Sequence, residues 1–241
     1  MSAGGDAGEA GRASWVAATL ALLTTGTFAI AVLTPPLSGP WCTAGCFEYP
    51  YADIASRFPR DYWWMFSAML VSVVFVALMV SVHRCAPAPA KSFSLMGLAL
   101  GAPGALVLLV DYWVQVAVIQ PSVLRSEHDG IALLSQFNPH GVFIALEEIG
   151  FLLMSAGLLC LAPVFWRTRG GGRALGWVLI GGFVASLGAV VATSMRFGLQ
   201  REYFLEVALI SVVWLTLIIA GTMLAVLFRR LATSYSFGAM G

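Results

Sequence analysis

Residues 111–148 read DYWVQVAVIQPSVLRSEHDGIALLSQFNPHGVFIALEE and join the end of one long apolar run to the start of the next. Three acidic residues of this stretch, Asp111, Glu147 and Glu148, lie well inside the apolar runs. On insertion scales a carboxylate near the centre of a bilayer costs about 2.5–3.5 kcal/mol, so their presence indicates a structural or functional requirement. The stretch therefore predicts two adjacent membrane helices with a polar site between them.

The composition of the whole chain is that of a membrane protein. Of its 241 residues 59% are hydrophobic and 10% are charged, and the mean hydropathy is +0.87. Soluble domains, by comparison, average about 25% charged residues. A formal net charge of +1 gives no indication of a nucleic-acid partner, so the partners that the composition predicts are membrane lipids.

Six apolar runs are long enough, at about 20 residues each, to cross a bilayer as helices. They cover approximately residues 15–34, 62–82, 93–118, 141–166, 174–195 and 203–228. We therefore predict an all-α polytopic membrane protein with a single six-helix transmembrane domain over residues 15–230. Residues 1–14 are small and polar and are expected to form a disordered cytoplasmic tail, with a second cytoplasmic tail over residues 231–241.

The basic residues at the ends of the spans indicate the orientation. Eight of the thirteen Lys and Arg residues lie on the flanks that share a side with both termini, and five lie on the other side. The eight are Arg12, Arg84, Lys91, Arg167, Arg169, Arg173, Arg229 and Arg230. Because Lys and Arg favour cytoplasmic loops, we expect a plasma (inner) membrane protein with both termini in the cytoplasm.

Two connections on the extracytoplasmic side have features of ordered structure. Residues 35–61 contain prolines and aromatics together with Cys42 and Cys46, for which a short disulfide loop is favoured over free thiols. In the second connection, Ser126 precedes an acidic turn and an apolar face. This pattern predicts a short interfacial helix of about ten residues between spans 3 and 4, capped by Ser126.

The third span carries a stripe of Gly97, Gly101 and Gly104 that continues to Asp111. Such small residues allow a neighbouring helix to approach closely, so Asp111 is expected to face protein. Small-residue faces on other spans, as at Gly181 and Ala185, are typical of helix packing and would also allow a homo-oligomer to form.

The acidic residues and their neighbours define the candidate site. All of them lie in the extracytoplasmic half of the bundle, where acids and aromatic faces suit a cationic or amphiphilic ligand. The candidate ligand-binding residues are Asp111, Tyr112, Gln115, His140, Glu147, Glu148, Arg196 and Glu206, with Asp111, Glu147 and Glu148 as the candidate catalytic acids. The alternative is that these acids pair with Arg125 or Arg196, or share a proton, only to fix helix packing.

Several function classes lack their usual motifs. The sequence contains no Walker-type loop, no Gly-x-Ser-x-Gly elbow and no His-Glu-x-x-His helix. The spacing of His140, Glu147 and Glu148 matches no zinc or di-iron motif, so no metal site is predicted. No cofactor is predicted either. Lys91 is the one lysine of the chain and lies at the edge of a span, so no lysine inside the membrane is available to form a retinal-type Schiff base.

Three hypotheses about function follow from the sequence. The leading one is a carboxylate-lined, aromatic-walled pocket that binds a small cationic or amphiphilic molecule for transport or sensing. The second is a membrane-embedded acid–base enzyme that acts on a lipidic, isoprenoid-like substrate. The third is an accessory membrane subunit without a ligand, so the sequence leaves open whether the protein is an enzyme.

Overall fold

The computed structural model describes the backbone of residues 3–166, 168 and 170–238 and the side chains of residues 7–166, 168 and 170–234. Arg167 and Arg169, which enter the orientation argument, lie outside the described residues. Eight α-helices are present in the described part: α1 (Ala3–Leu33), α2 (Trp63–Cys85), α3 (Lys91–Val114), α4 (Gln120–Leu124), α5 (Ile131–Leu134), α6 (Val142–Phe165), α7 (Gly172–Phe197) and α8 (Glu202–Gly238).

Six of the helical stretches are long and apolar enough to cross a membrane. They extend over Ala7–Leu33, Arg60–Cys85, Ala88–Leu124, Val142–Phe165, Gly172–Gln200 and Glu202–Ser234. The six-span, all-α architecture predicted from the sequence is therefore confirmed. An even number of spans leaves the two termini at the same end of the bundle.

Five of the long helices form a closed ring, and the sixth packs on its outside. Helix α1 packs against α2 and α8, α2 against α3, α3 against α6, and α6 against α8, while α7 lies on α6 and α8. Large aromatic side chains fill the interior of the ring, among them Phe75, Tyr112, Phe151 and Trp214. Van der Waals packing of these side chains helps to hold the helices together.

Backbone contact between α3 and α6 is the closest helix approach near the acids. A Cβ atom built on Gly104 would lie 2.7 Å from the carbonyl oxygen of Gly150, and one built on Gly97 would lie 2.8 Å from that of Gly157. The glycine stripe predicted from the sequence thus faces a glycine-containing surface of the next span. This contact places the ends of the two helices that carry the acids side by side.

Two segments that connect the long helices cover one end of the bundle, and we call residues 34–62 and 125–141 together the lid. The lid has its own small core, which contains Leu37, Ile54 and Phe137. The sulfur atoms of Cys42 and Cys46 lie at bonding distance in it, 2.04 Å apart, in agreement with the predicted disulfide. Burial raises the pKa of the Tyr51 hydroxyl in this core, so that Tyr51 stays neutral.

The amino-terminal segment differs from the expectation of a disordered tail. Helix α1 begins at Ala3, and Ala10 and Ala13 are buried. Ser14 donates a hydrogen bond of 2.8 Å to the carbonyl oxygen of Ala225 in α8. Small residues that look uninformative in the sequence allow α1 to pack closely along α8, and this packing compensates for the weak helix propensity of the glycines among them. At the other end of the chain, α8 continues through the segment expected to be a tail as far as Gly238.

The connection between spans 3 and 4 also differs in detail. The expected ten-residue interfacial helix is only one turn long, Ile131–Leu134, because Ser126 and Gly130 both have positive φ, at 61° and 76°. Ser126 therefore does not cap this helix. The third span instead continues through a π-helical segment, Gln115–Ile119, and then through α4 to Leu124.

The α3–α6 contact makes a testable prediction about stability. Gly104→Ala should destabilise the protein by about 1–3 kcal/mol, because the added methyl group would overlap backbone and side-chain atoms of α6. The matched control is Gly26→Ala in α1, where nothing lies within 4 Å of the added atom. Thermal unfolding in detergent measures both variants, and equal midpoints for the two would contradict the close contact.

Candidate functional site

Four acidic or phenolic side chains from three helices meet beneath the lid. Tyr112 of α3 donates a hydrogen bond of 2.6 Å to Oε1 of Glu147 in α6. The carboxyl group of Glu206 in α8 lies within hydrogen-bonding reach of the carboxyl group of Glu147. Asp111, one residue before Tyr112, interacts electrostatically with Glu147. The structure therefore brings together four of the site residues predicted from the sequence.

Two carboxyl oxygens of this cluster are buried without a partner. Asp111 and Glu147 are 2% and 0% exposed, and within the described part of the chain Asp111 Oδ2 and Glu147 Oε2 have no hydrogen-bond partner. A buried polar atom left unpaired costs about 1–3 kcal/mol. An arrangement of this kind is unusual in a core that only packs, and it indicates that a proton on a neighbouring carboxyl group or a bound molecule satisfies these oxygens.

A cavity of about 270 Å³ lies beside the acidic cluster. Its walls come from the end of α1, the lid, the start of α2 and the first three turns of α8. Glu206 and Asp61 are on the wall, together with the indole rings of Trp41, Trp64 and Trp214. None of the described residues that line it is Lys or Arg.

The two carboxyl groups on the wall differ in how their charge is balanced. Asp61 is 4% exposed and forms a bidentate pair with Arg60, at 2.8 Å to Nε and 3.1 Å to Nη2. Glu206 has no such partner among the described basic residues, and it interacts with the carboxyl group of Glu147. The cavity therefore contains one acid without a compensating positive charge.

Hydrogen bonds from the π-helical segment and from α8 hold the lid over the cavity. Gln115 in the π-helical segment donates to the carbonyl oxygen of Leu134 at 2.7 Å and accepts from the amide of Gln136 at 3.0 Å. The hydroxyl of Tyr203 lies 2.6 Å from that of Ser38. Gln115 thus holds the lid in place through these two hydrogen bonds. Its expected role in ligand binding stays a prediction.

Of the predicted site residues, Glu206 is the one among the described residues that line the cavity, and His140, Glu148 and Arg196 lie outside it. His140 Nδ1 is 2.8 Å from a carboxylate oxygen of Glu202, and its side chain is 70% exposed. Glu148 faces away from Glu147 and lies 3.5 Å from Nη2 of Arg201. Arg196 is exposed and lies over the ring of Phe197. The basic residue that pairs with Glu148 is thus Arg201, and neither Arg125 nor Arg196 does so.

Sequence reasoning missed several wall residues, chiefly Asp61, Tyr203 and Trp214. Asp61 follows Arg60 in the sequence and resembled an ordinary surface pair. A signal for the others was available, because Tyr203, Glu206, Ile210 and Trp214 recur at helical spacing along one face of span six. A tryptophan in the middle of a span, on the same stripe as an acid, would have indicated an aromatic-walled site.

Metal binding finds no support in the arrangement. Within the described part of the chain, no group of three or more His, Cys, Asp or Glu side chains is placed to hold a metal ion.

No protein-family model, curated protein or solved structure shows significant similarity to this chain. The geometry of the site is therefore what indicates the function.

A double-mutant cycle tests whether Tyr112 and Glu147 act as a unit. Tyr112→Phe removes the donor to a fully buried carboxylate oxygen and should cost about 1–3 kcal/mol of stability. Combined with Glu147→Gln, its effect should be smaller than in the wild-type background by about 0.5–3 kcal/mol. Unfolding in detergent gives the four values, and Tyr49→Phe, at a residue 77% exposed, is the control. Strictly additive effects would show that the two side chains are not coupled.

Proposed function

We propose that the protein binds a small organic cation, or the cationic head of an amphiphile, in the cavity beneath the lid. The observation that carries this proposal is the carboxyl group of Glu206, which lies on a wall rich in tryptophan and has no basic partner among the lining residues. Aromatic faces attract cations through their quadrupoles, with about 2 kcal/mol or more where the cation is desolvated. An adjacent carboxylate adds a direct charge interaction.

The volume of the cavity limits the size of the ligand. The cavity, of about 270 Å³, lies at the small end of the range of ligand sites, which is about 300–1,000 Å³. This space suits an ammonium group with a few carbon atoms, and a longer chain would have to extend out of it. The size therefore favours a site that binds a small head group over one that encloses a whole lipidic substrate.

Exposed residues on the cavity wall indicate how an amphiphile would be accommodated. Val32 near the end of α1 and Val207 near the start of α8 are 70% and 45% exposed, and Trp41 of the lid is 42% exposed. All three face outward from the bundle at the level of the cavity. An alkyl chain attached to a bound head group would extend between α1 and α8 into the surrounding lipid, where its burial costs nothing.

The same proposal includes the membrane that holds the protein and the side of it that the cavity faces. The distribution of Lys and Arg supports a plasma (inner) membrane location with both termini in the cytoplasm, which puts the lid and the cavity on the outer side. A site that opens outward fits uptake or sensing of an external molecule. We therefore propose transport or sensing, with no catalytic role for the acids.

Binding of simple cations tests the proposal. Purified protein in nanodiscs is titrated with tetramethylammonium, choline and phenyltrimethylammonium, and the neutral isostere of choline, 3,3-dimethylbutan-1-ol, serves as the uncharged comparison. Tryptophan fluorescence reports occupancy, since three indoles line the cavity. At least one cation should bind, and choline should bind more tightly than its isostere.

The variant that tests the site is Glu206→Gln, which should weaken binding at least about tenfold, or about 1.4 kcal/mol. The matched control is Glu202→Gln, one turn away on the same helix, where the carboxylate faces His140 outside the cavity. If none of the three cations binds, or if the two variants lose affinity equally, the proposed function is wrong.

A further inference from the structure

We infer that the site binds its cation in exchange for a proton held between Glu147 and Glu206, so that ligand binding and proton release are coupled. This inference rests on the proposed function and adds to it a second ligand, the proton. It is carried by the contact between two carboxyl groups, the burial of one of them, and the position of the other on the cavity wall.

The contact itself requires a proton. Two ionised carboxylates offer only acceptors, so they can hydrogen-bond to each other only when one carries a proton. Glu147 is 0% exposed, and its Oε2 has no other partner in the part of the chain that the structure describes. A proton on the neighbouring carboxyl group would supply a donor at this position.

The hydrogen bond from Tyr112 decides which carboxyl group holds the proton. The tyrosine hydroxyl donates to Oε1 of Glu147 at 2.6 Å and so stabilises the charged form of Glu147. Glu206 receives no comparable donor among the described hydrogen bonds. The proton therefore lies on Glu206, which is the carboxyl group that faces the cavity.

No other group around Glu206 is in a position to replace this proton. The two nearby guanidinium groups are already paired, Arg60 with Asp61 and Arg201 with Glu148, and His140 is paired with Glu202. Helix α1 contributes no titratable side chain to the wall. The titratable and charged groups around the pair are Asp61, Arg60, Asp111, Tyr112, Glu148, Arg201, Glu202 and Tyr203.

The exchange balances in charge. Before binding, the Glu147–Glu206 pair holds one proton and has a charge of minus one. A cation that enters the cavity faces Glu206, the proton leaves to water through the opening of the cavity, and the pair with its bound cation again has a charge of minus one. The buried region keeps the same charge in both states, so the site avoids the large cost of an uncompensated charge in a low-dielectric interior.

Proton release during binding measures the coupling directly. Protein in nanodiscs in weakly buffered solution with a pH indicator is mixed with tetramethylammonium, choline or phenyltrimethylammonium, and the protons released are compared with the cation bound. The wild-type protein should release about one proton per bound cation. Its apparent affinity should fall about tenfold for each unit by which the pH is lowered while the pair is protonated.

Two variants connect the release to the pair. Glu147→Gln removes the second charge, so Glu206 ionises without a competing neighbour; the cation should still bind, with less than half the proton release and a flatter dependence of affinity on pH. Glu202→Gln should behave like the wild-type protein in both measurements. A purely structural role of Glu147 would change stability and leave the pH dependence unaltered.

The outcomes separate this inference from the proposed function. Cation binding by the wild-type protein without proton release, or with an affinity independent of pH, overturns the coupling and leaves the binding site in place. Release that persists unchanged in Glu147→Gln overturns the assignment to this pair. Failure of all three cations to bind overturns the proposed function itself.

Discussion

The contact between the glycine surfaces of α3 and α6 is the constraint on which the rest of the site depends. Gly97 and Gly104 approach the backbone of Gly157 and Gly150 so closely that a methyl group has no room. In lipid, helices are held together largely by van der Waals contacts, and small residues strengthen these contacts by letting two backbones approach closely. The contact fixes the depth of α3 relative to α6, and so it places the hydroxyl of Tyr112 against the carboxyl group of Glu147.

From this contact the arrangement of the acids follows step by step. Glu147 points into the ring toward Tyr112 and Glu206, while Glu148, rotated by about 100° on the same helix, points to the seam where Arg201 lies. One glutamate is therefore compensated by an arginine, and the other shares its environment with two further acids. Because Arg201 pairs with Glu148, it does not compensate the acids on the other side of α6. Glu206 on the cavity wall is therefore able to pair with a ligand.

Much of this architecture could be predicted from the sequence, because membrane spans depend on length and hydrophobicity alone. The six helices followed from the apolar runs, and the glycine face of α3 and the orientation of Asp111 toward protein followed from periodicity. The single-turn length of the lid helix and the ordered start of α1 did not follow, since both depend on tertiary contacts, such as the packing of Ala10 and Ala13, that local sequence does not encode.

The candidate site was more predictable in its acids than in its walls. Intramembrane carboxylates stand out because each is costly in lipid, whereas the helical spacing of Trp214 with Glu206 is a weaker signal that does not say which helices face it. The partner of Glu148 was also beyond the sequence, because Arg201 lies 53 positions away and reaches it only through the packing of α6 and α8. The cavity exists between helices that are first and last in the chain, and no local pattern reports such a space.

Native mass spectrometry of protein released from its own membrane tests the central claim most directly. The account predicts a retained adduct whose mass is that of a small organic cation or a cationic amphiphile, present in the wild-type protein and in Glu202→Gln and lost in Glu206→Gln. Adducts that are only anionic or zwitterionic lipids, or an adduct equally abundant in Glu206→Gln, would contradict a cation site at Glu206.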